Sequence, residues 1–176
     1  MSDSLEQINL LLRQGLIATK QGSYHRRVPA AKAVPLLQQA LREVKSWMGQ
    51  HGESERSLRL LALAEEALLD YDSAVSTLEK MIKLSARPNR NDLKRLAACR
   101  EAGQLWRRLA LTPEELAALG TYLKNKLLDS APDTSLRWTG TWLSENKPKE
   151  KSEILASFRR QGHSSDYRVL HNVVSG

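Results

Sequence analysis

Residues 57–88 read SLRLLALAEEALLDYDSAVSTLEKMIKLSARP, and this stretch decides the fold. Before Asp70 the apolar residues recur at intervals of three and four, which predicts a helix with one apolar face. A second set with the same spacing comprises Ala74, Leu78, Met81 and Ile82. Asp70-Tyr71-Asp72 between the two sets predicts a tight turn, so the stretch as a whole predicts two paired helices.

The same periodicity continues on both sides of this pair and predicts further helices. On the N-terminal side the apolar positions are Leu5, Ile8, Leu12 and Leu16, then Ala33, Leu37, Ala40, Leu41 and Val44. On the C-terminal side one helix spans roughly 91–109, and Leu136, Trp138, Trp142, Leu143, Ile154, Leu155 and Phe158 mark two later helices. Between the helix at 91–109 and the two later helices, Thr112-Pro113-Glu114-Glu115 matches a helix start with Pro at the first helical position and a capping box.

Composition agrees with a helical, globular chain. The 176 residues include 30 Leu and 18 Ala but only 7 Val and 4 Ile, a balance that favours helix over sheet. No apolar run approaches the roughly 20 residues that a membrane span needs. A single cysteine, Cys99, excludes an internal disulfide, and acidic residues near the N-terminus differ from a secretory signal. We therefore expect a cytoplasmic protein with no membrane contact.

The last residues have a different pattern. Tyr167, Val169, His171 and Val173 alternate with other residues, which predicts a short strand or extended segment. The fold prediction is therefore all-α, with antiparallel helix pairs over residues 1–110 and a small two-helix module with an extended tail over residues 111–176.

Residues 57–88 resemble a tetratricopeptide repeat, a 34-residue helix–turn–helix unit. The turn after Leu69 and the small residues Ala62 and Ala74 match the pattern of that family, whereas Glu65 replaces its aromatic residue. The resemblance implies a groove that holds a peptide or partner helix. The positions facing it are Arg56, Arg59, Leu63 and Glu66. An ordinary leucine-rich bundle with a solvated helix face is the alternative.

From about residue 111 to residue 174 the chain resembles a bacterial family of domains of unknown function. The matching runs are LTPEEL from Leu111, LGTYL from Leu119, DTSLRWT from Asp133 and VLHNV from Val169. Members of that family often have Cys-Asp-His and Cys-Asp-Cys, a plausible structural zinc site, where this chain has Pro132-Asp133-Thr134 and Ser165-Asp166-Tyr167. All four candidate ligands are absent, so we expect no zinc there and interpret Asp133 and Asp166 as helix-cap and turn residues.

The net charge of +7 raises the question of nucleic acid. Counted along the sequence, the excess is spread over several helices. The residues most suited to contact phosphates are Arg26, Arg27, Lys94, Arg100 and Arg107. A nucleic-acid-binding role is therefore the alternative to a protein-binding role.

No motif of a known catalytic site is present in the sequence. Cys99 falls on an apolar helix face, which indicates a buried, inert thiol. We therefore expect a helical adaptor or protein-interaction module without catalytic activity, bound metal or cofactor. A homodimer through the leucine-rich first helix is a further expectation.

Overall fold

The computed structural model describes residues 2–19, 21, 28–128 and 134–174, and within these ranges the chain is helical with no strand. The helices are α1 Ser2–Ala18, α2 Val34–His51, α3 Glu55–Ala67, α4 Tyr71–Leu84, α5 Arg90–Leu109, α6 Pro113–Leu128, α7 Arg137–Asn146, α8 Lys151–Arg160 and α9 Asp166–Val169. A π-helical segment, Leu170–Val174, continues α9. The predicted all-α class is confirmed.

The chain divides into two compact units. Unit 1 comprises residues 1–20 and 29–103, and unit 2 comprises residues 21–28 and 104–176. The division by contacts therefore falls inside α5, whereas the sequence placed the boundary between residues 110 and 111.

Unit 1 contains the helix pairs α1–α2 and α3–α4, and α3 also packs against α2 and α1. The core of the α1–α2–α3 group includes Leu12, Leu37 and Leu61, all buried. At the crossing of α1 and α2, a Cβ added to Gly15 would lie 2.9 Å from Leu37 Cδ2, so the helices approach closely there. The predicted small residue of α3, Ala62, is fully buried in the second core group of this unit.

The turn between α3 and α4 forms as the sequence indicates. Leu69 has a left-handed backbone with φ of 65°, and its N–H donates to Glu66 O at 3.0 Å. Asp70 N donates to Glu65 O at 2.9 Å, which completes the hydrogen bonds of a Schellman-type helix end. The Asp70 side chain then accepts from Ser73 N at 3.2 Å and caps α4.

Unit 2 has its own core, formed by α6, α7, α8 and the end of the chain. The predicted capping box of α6 is present: Thr112 N donates to Glu115 Oε2 at 2.8 Å and Glu115 N donates to Thr112 Oγ1 at 3.2 Å. Leu119, Leu143 and Phe158 are fully buried in this core.

The prediction of a terminal strand or extended segment is wrong. Residues 166–174 are helical, and Ser165 caps them by accepting from Arg168 N at 3.3 Å. An alternating strand would bury Tyr167 and His171, but both are exposed. The buried apolar residues are Val169, Leu170, Val173 and Val174, which recur at the four-residue interval of a helix.

Candidate functional site

A cleft between α1 and α3 of unit 1 is the candidate site. Its volume is about 330 Å³, and it is lined by Asn9, Leu12, Arg13, Leu16, Arg56, Arg59, Leu60 and Leu63. Three of the four residues that the sequence predicted to face a groove are therefore at this cleft.

The floor of the cleft is apolar. Leu12 and Leu60 are buried, and the more outward Leu16 and Leu63 are half-buried. The α1 residues of the cleft are Asn9, Leu12, Arg13 and Leu16. They share one helix face because they are three or four positions apart, and this face adjoins the stripe that packs against α2. α3 is held at its start by a capping box in which Ser57 N donates to Ser54 Oγ at 3.1 Å.

The rim of the cleft is formed by arginines. Arg56 pairs with Glu6 of α1, and both side chains are about half exposed. Arg59 donates to Asp92 Oδ2 and to Glu55 Oε1, each at 2.8 Å, and the hydrogen bond to Asp92 raises the pKa of Arg59. Arg13 is exposed and forms no hydrogen bond or ion pair with a described residue. One arginine is thus available for a ligand, and two take part in exposed or partly exposed pairs.

Glu66 does not line the cleft, which corrects the sequence prediction. It is only 6% exposed, and its Oε2 accepts from Arg95 Nε at 2.8 Å. The bond ties α3 to α5 and holds the Glu66 carboxylate away from the cleft.

The α5 cations predicted to contact phosphate do not form one stripe. At 100° per residue, Arg100 and Arg107 lie within about 20° of each other around the helix, and Lys94 lies about 120° from Arg100. Arg100 also donates to Glu79 Oε1 at 2.6 Å. Arg26 and Arg27 lie outside the described residues.

The α1 half of the cleft was not identified from the sequence. The sequence predicts an apolar stripe that includes Leu12 and Leu16, but it does not predict that Asn9 and Arg13 line a cleft. The signal in the sequence is a basic residue, Arg13, next to the apolar stripe of α1. Its position at the cleft follows only from the packing of α1 against α3.

Asp166, which the sequence predicts to be a helix-cap or turn residue, belongs to a buried hydrogen-bond group. Asp166 is 1% exposed and accepts from the N–H groups of Trp138 and Thr139, each at 2.8 Å. It therefore caps the start of α7 from a position 28 residues further along the chain than Trp138. Asp133 lies outside the described residues. Among the described residues, no group of three or more His, Cys, Asp or Glu could hold a metal ion.

Two further buried groups lie away from the cleft. Cys99 is 1% exposed in the core group that includes Leu78, which confirms its predicted burial. Glu65 accepts from Thr77 Oγ1 at 2.8 Å between α3 and α4. Burial raises the pKa of Glu65, although the Thr77 hydrogen bond and the charge of Lys45 oppose the change.

No protein-family model, curated protein or solved structure matches the chain. Within the described ranges, no helix is both long and apolar enough to cross a bilayer.

Proposed function

We propose that unit 1 is a non-catalytic protein-interaction module whose α1–α3 cleft receives an apolar segment of a partner. The observation that carries the proposal is the combination of a leucine floor with an arginine rim. Such a surface holds a helix or extended peptide through apolar anchors, while the charges at the edge select its orientation.

The chemistry of the lining supports binding rather than catalysis. The only polar side chains among the described lining residues are those of Asn9, Arg13, Arg56 and Arg59. Arginine does not lose its proton at neutral pH, and an amide does not act as an acid or base. A general acid–base or nucleophilic mechanism needs groups of another kind.

Charge complementarity indicates the chemistry of the partner. Three arginines and no carboxylate are among the described lining residues. The Arg56–Glu6 pair is half exposed, and such a pair is worth little, so a carboxylate of the partner can replace Glu6. We therefore expect a segment with leucine-like anchors flanked by Asp or Glu.

The resemblance to a tetratricopeptide repeat supports the same proposal, since it implies a groove beside Arg56, Arg59 and Leu63. An adaptor role and a cytoplasmic location belong to the proposal as well, the latter supported by the single cysteine. A second copy of the chain is the other candidate occupant, because Leu10 and Ile17 are exposed on α1.

The test is selection of binders from displayed random peptides of helical length, followed by affinity measurement on purified variants. Leu63→Glu places a charge in the cleft, and we expect it to weaken the selected peptides about tenfold or more. Leu84→Glu is the matched control, because Leu84 is a 56% exposed leucine of α4 that is not among the cleft residues. Light scattering of the same samples measures self-association.

Two results would contradict the proposal. One is a selection that yields no binder for the wild-type protein. The other is a set of peptides that bind Leu63→Glu as well as wild type while circular dichroism shows both proteins folded.

A further inference from the structure

The basic excess of the chain is concentrated in unit 2. The described residues of unit 1 include thirteen Lys and Arg against twelve Asp and Glu, whereas those of unit 2 include eleven against six. One of those six acids, Asp166, is buried as the cap of α7, and Glu115 pairs with Lys147 at 2.7 Å. With Asp166 buried, the charged residues of unit 2 that are described and not buried are eleven basic and five acidic.

Cations and aromatic rings lie together at one corner of this unit. Lys126 Nζ lies 5.6 Å from the ring centroid of Tyr122 and 5.2 Å from that of Trp138. Arg137 Cζ lies 4.6 Å from the same Trp138 ring. We call Tyr122, Lys126, Arg137, Trp138 and Tyr167 the aromatic–basic corner.

The cap of α7 places the backbone of Tyr167 beside the start of that helix. Asp166 Oδ2 accepts from Trp138 N at 2.8 Å, and Tyr167 is the next residue along the chain. Tyr167 is 57% exposed, and its ring centroid lies 4.1 Å from that of His171, with the ring planes tilted by 45°. It is a large exposed aromatic surface in a unit with a cationic surface.

We propose that the aromatic–basic corner binds single-stranded nucleic acid, with a base stacked on Tyr167 and phosphates held by Lys126 and Arg137. Single strands are bound without sequence preference by this combination of cations and exposed rings, because every base has a stacking face and every nucleotide a phosphate. Lys126 and Arg137 are both exposed residues. Trp138 is half-buried in the core and provides the support against which both cations rest.

Acidic residues also lie near the aromatic–basic corner and limit where the phosphates of a bound nucleic acid can lie. Burial, together with the charges of Glu145 and Asp166, raises the pKa of Tyr122, so its phenol stays neutral at pH 7. Glu145 is on the later part of α7, and Arg137 is its first residue. Phosphates are expected beside Arg137 and Lys126, the two cations that lie over the Trp138 ring.

The test measures fluorescence anisotropy of labelled oligothymidylate of about 15 nucleotides with the full-length protein at about 50 and 200 mM salt. We expect Lys126→Gln and Arg137→Gln each to weaken binding severalfold and to reduce the slope of log K against log salt by about 0.7. Tyr167→Ala is expected to weaken binding about fivefold or more, and Tyr167→Phe to retain it.

Lys149→Gln is the control of equal charge. Lys149 is exposed just beyond the far end of α7, and this ten-residue helix is about 15 Å long, well over the Debye length of roughly 8 Å at physiological salt. We expect little change in affinity for this variant. Thermal unfolding of each variant shows that the fold is retained.

Three outcomes would overturn the proposal. The first is no binding of the oligonucleotide at the lower salt concentration. The second is an equal loss for Lys149→Gln and Arg137→Gln, which indicates a diffuse charge effect. The third is competition by polyglutamate that matches competition by unlabelled oligonucleotide, which indicates an acidic protein partner instead.

Discussion

Replacing Asp166 by Asn tests the bond that joins α9 to the start of α7. The carboxylate accepts from Trp138 N on Oδ2 at 2.8 Å, and on Oδ1 from Thr139 N at 2.8 Å and Thr139 Oγ1 at 2.6 Å. An amide has one accepting oxygen, so Asn can keep the Thr139 bonds only by turning its NH2 toward the N–H of Trp138. The variant therefore loses one charge-assisted hydrogen bond and weakens two.

The expected loss of unfolding free energy is about 3 kcal/mol, since a hydrogen bond to a charged group contributes about 1.5–3 kcal/mol and a buried unpaired donor costs about 1–3 kcal/mol. Thr139→Val removes one of the three bonds without changing the shape of the side chain, and we expect it to cost about 1–1.5 kcal/mol. Because both residues share one hydrogen-bond group, their effects should couple by about 0.5 kcal/mol or more.

Urea unfolding followed by tryptophan fluorescence measures these values. Trp106, Trp138 and Trp142 belong to unit 2 and Trp47 to unit 1, so a Trp47→Phe background reports on unit 2 alone. A change below about 0.5 kcal/mol for Asp166→Asn, additive with that of Thr139→Val, would refute the reasoning, because it is the size of an ordinary surface substitution.

Two further predictions concern backbone strain and a buried charge. Ala110 has a φ of 53° and is exposed, so Ala110→Gly should raise the unfolding free energy by about 0.5–1 kcal/mol in urea titrations, whereas Ala117→Gly, at an exposed position within α6, should lower it by about 1 kcal/mol. Equal signs for the two variants would contradict this account. Because burial raises the pKa of Glu65 in the folded state, its favourable contribution is complete below the unfolded value of 4.5 and is lost as pH rises through the folded pKa. Glu65→Gln should therefore gain stability relative to wild type between pH 4.5 and neutrality, and a pH-independent difference in melting temperature would argue against it.

The features predicted correctly from the sequence are those set by neighbouring residues. The Thr112 and Glu115 capping box and the turn before Tyr71 depend on side chains within a few positions of the backbone groups that they bond. Helix periodicity is equally local, which explains why the positions of the helices could be read from their leucines.

The terminal segment shows where the spacing of neighbouring residues fails to predict the secondary structure. Over a few residues, alternation and helical spacing select overlapping sets of apolar positions, and Val169 and Val173 belong to both. The decision depends on Ser165, which caps the helix, and on the packing of this segment against α6. Neither the cap nor that packing is part of the alternating pattern.

The candidate site was half predictable for the same reason. Arg56, Arg59 and Leu63 share one face of α3, which spacing alone provides. The contribution of α1 to the cleft depends on contacts between helices. The bond that draws Glu66 away from the cleft is also such a contact, because its partner Arg95 is 29 positions further along the chain. A pattern of neighbouring residues cannot predict a contact between positions so far apart in sequence.

Ion pairs between helices determine which basic side chains remain available at the surface. Several basic residues of unit 1 bind acids far away in sequence, as Arg100 binds Glu79 and Arg59 binds Asp92. The described residues of unit 1 have only one more Lys or Arg than Asp or Glu, and one of its predicted phosphate contacts, Arg100, is held in such a pair. In unit 2 the burial of Asp166 removes an acid from the surface, so the excess that looked evenly spread along the chain belongs mainly to the unit with the exposed Tyr167 ring.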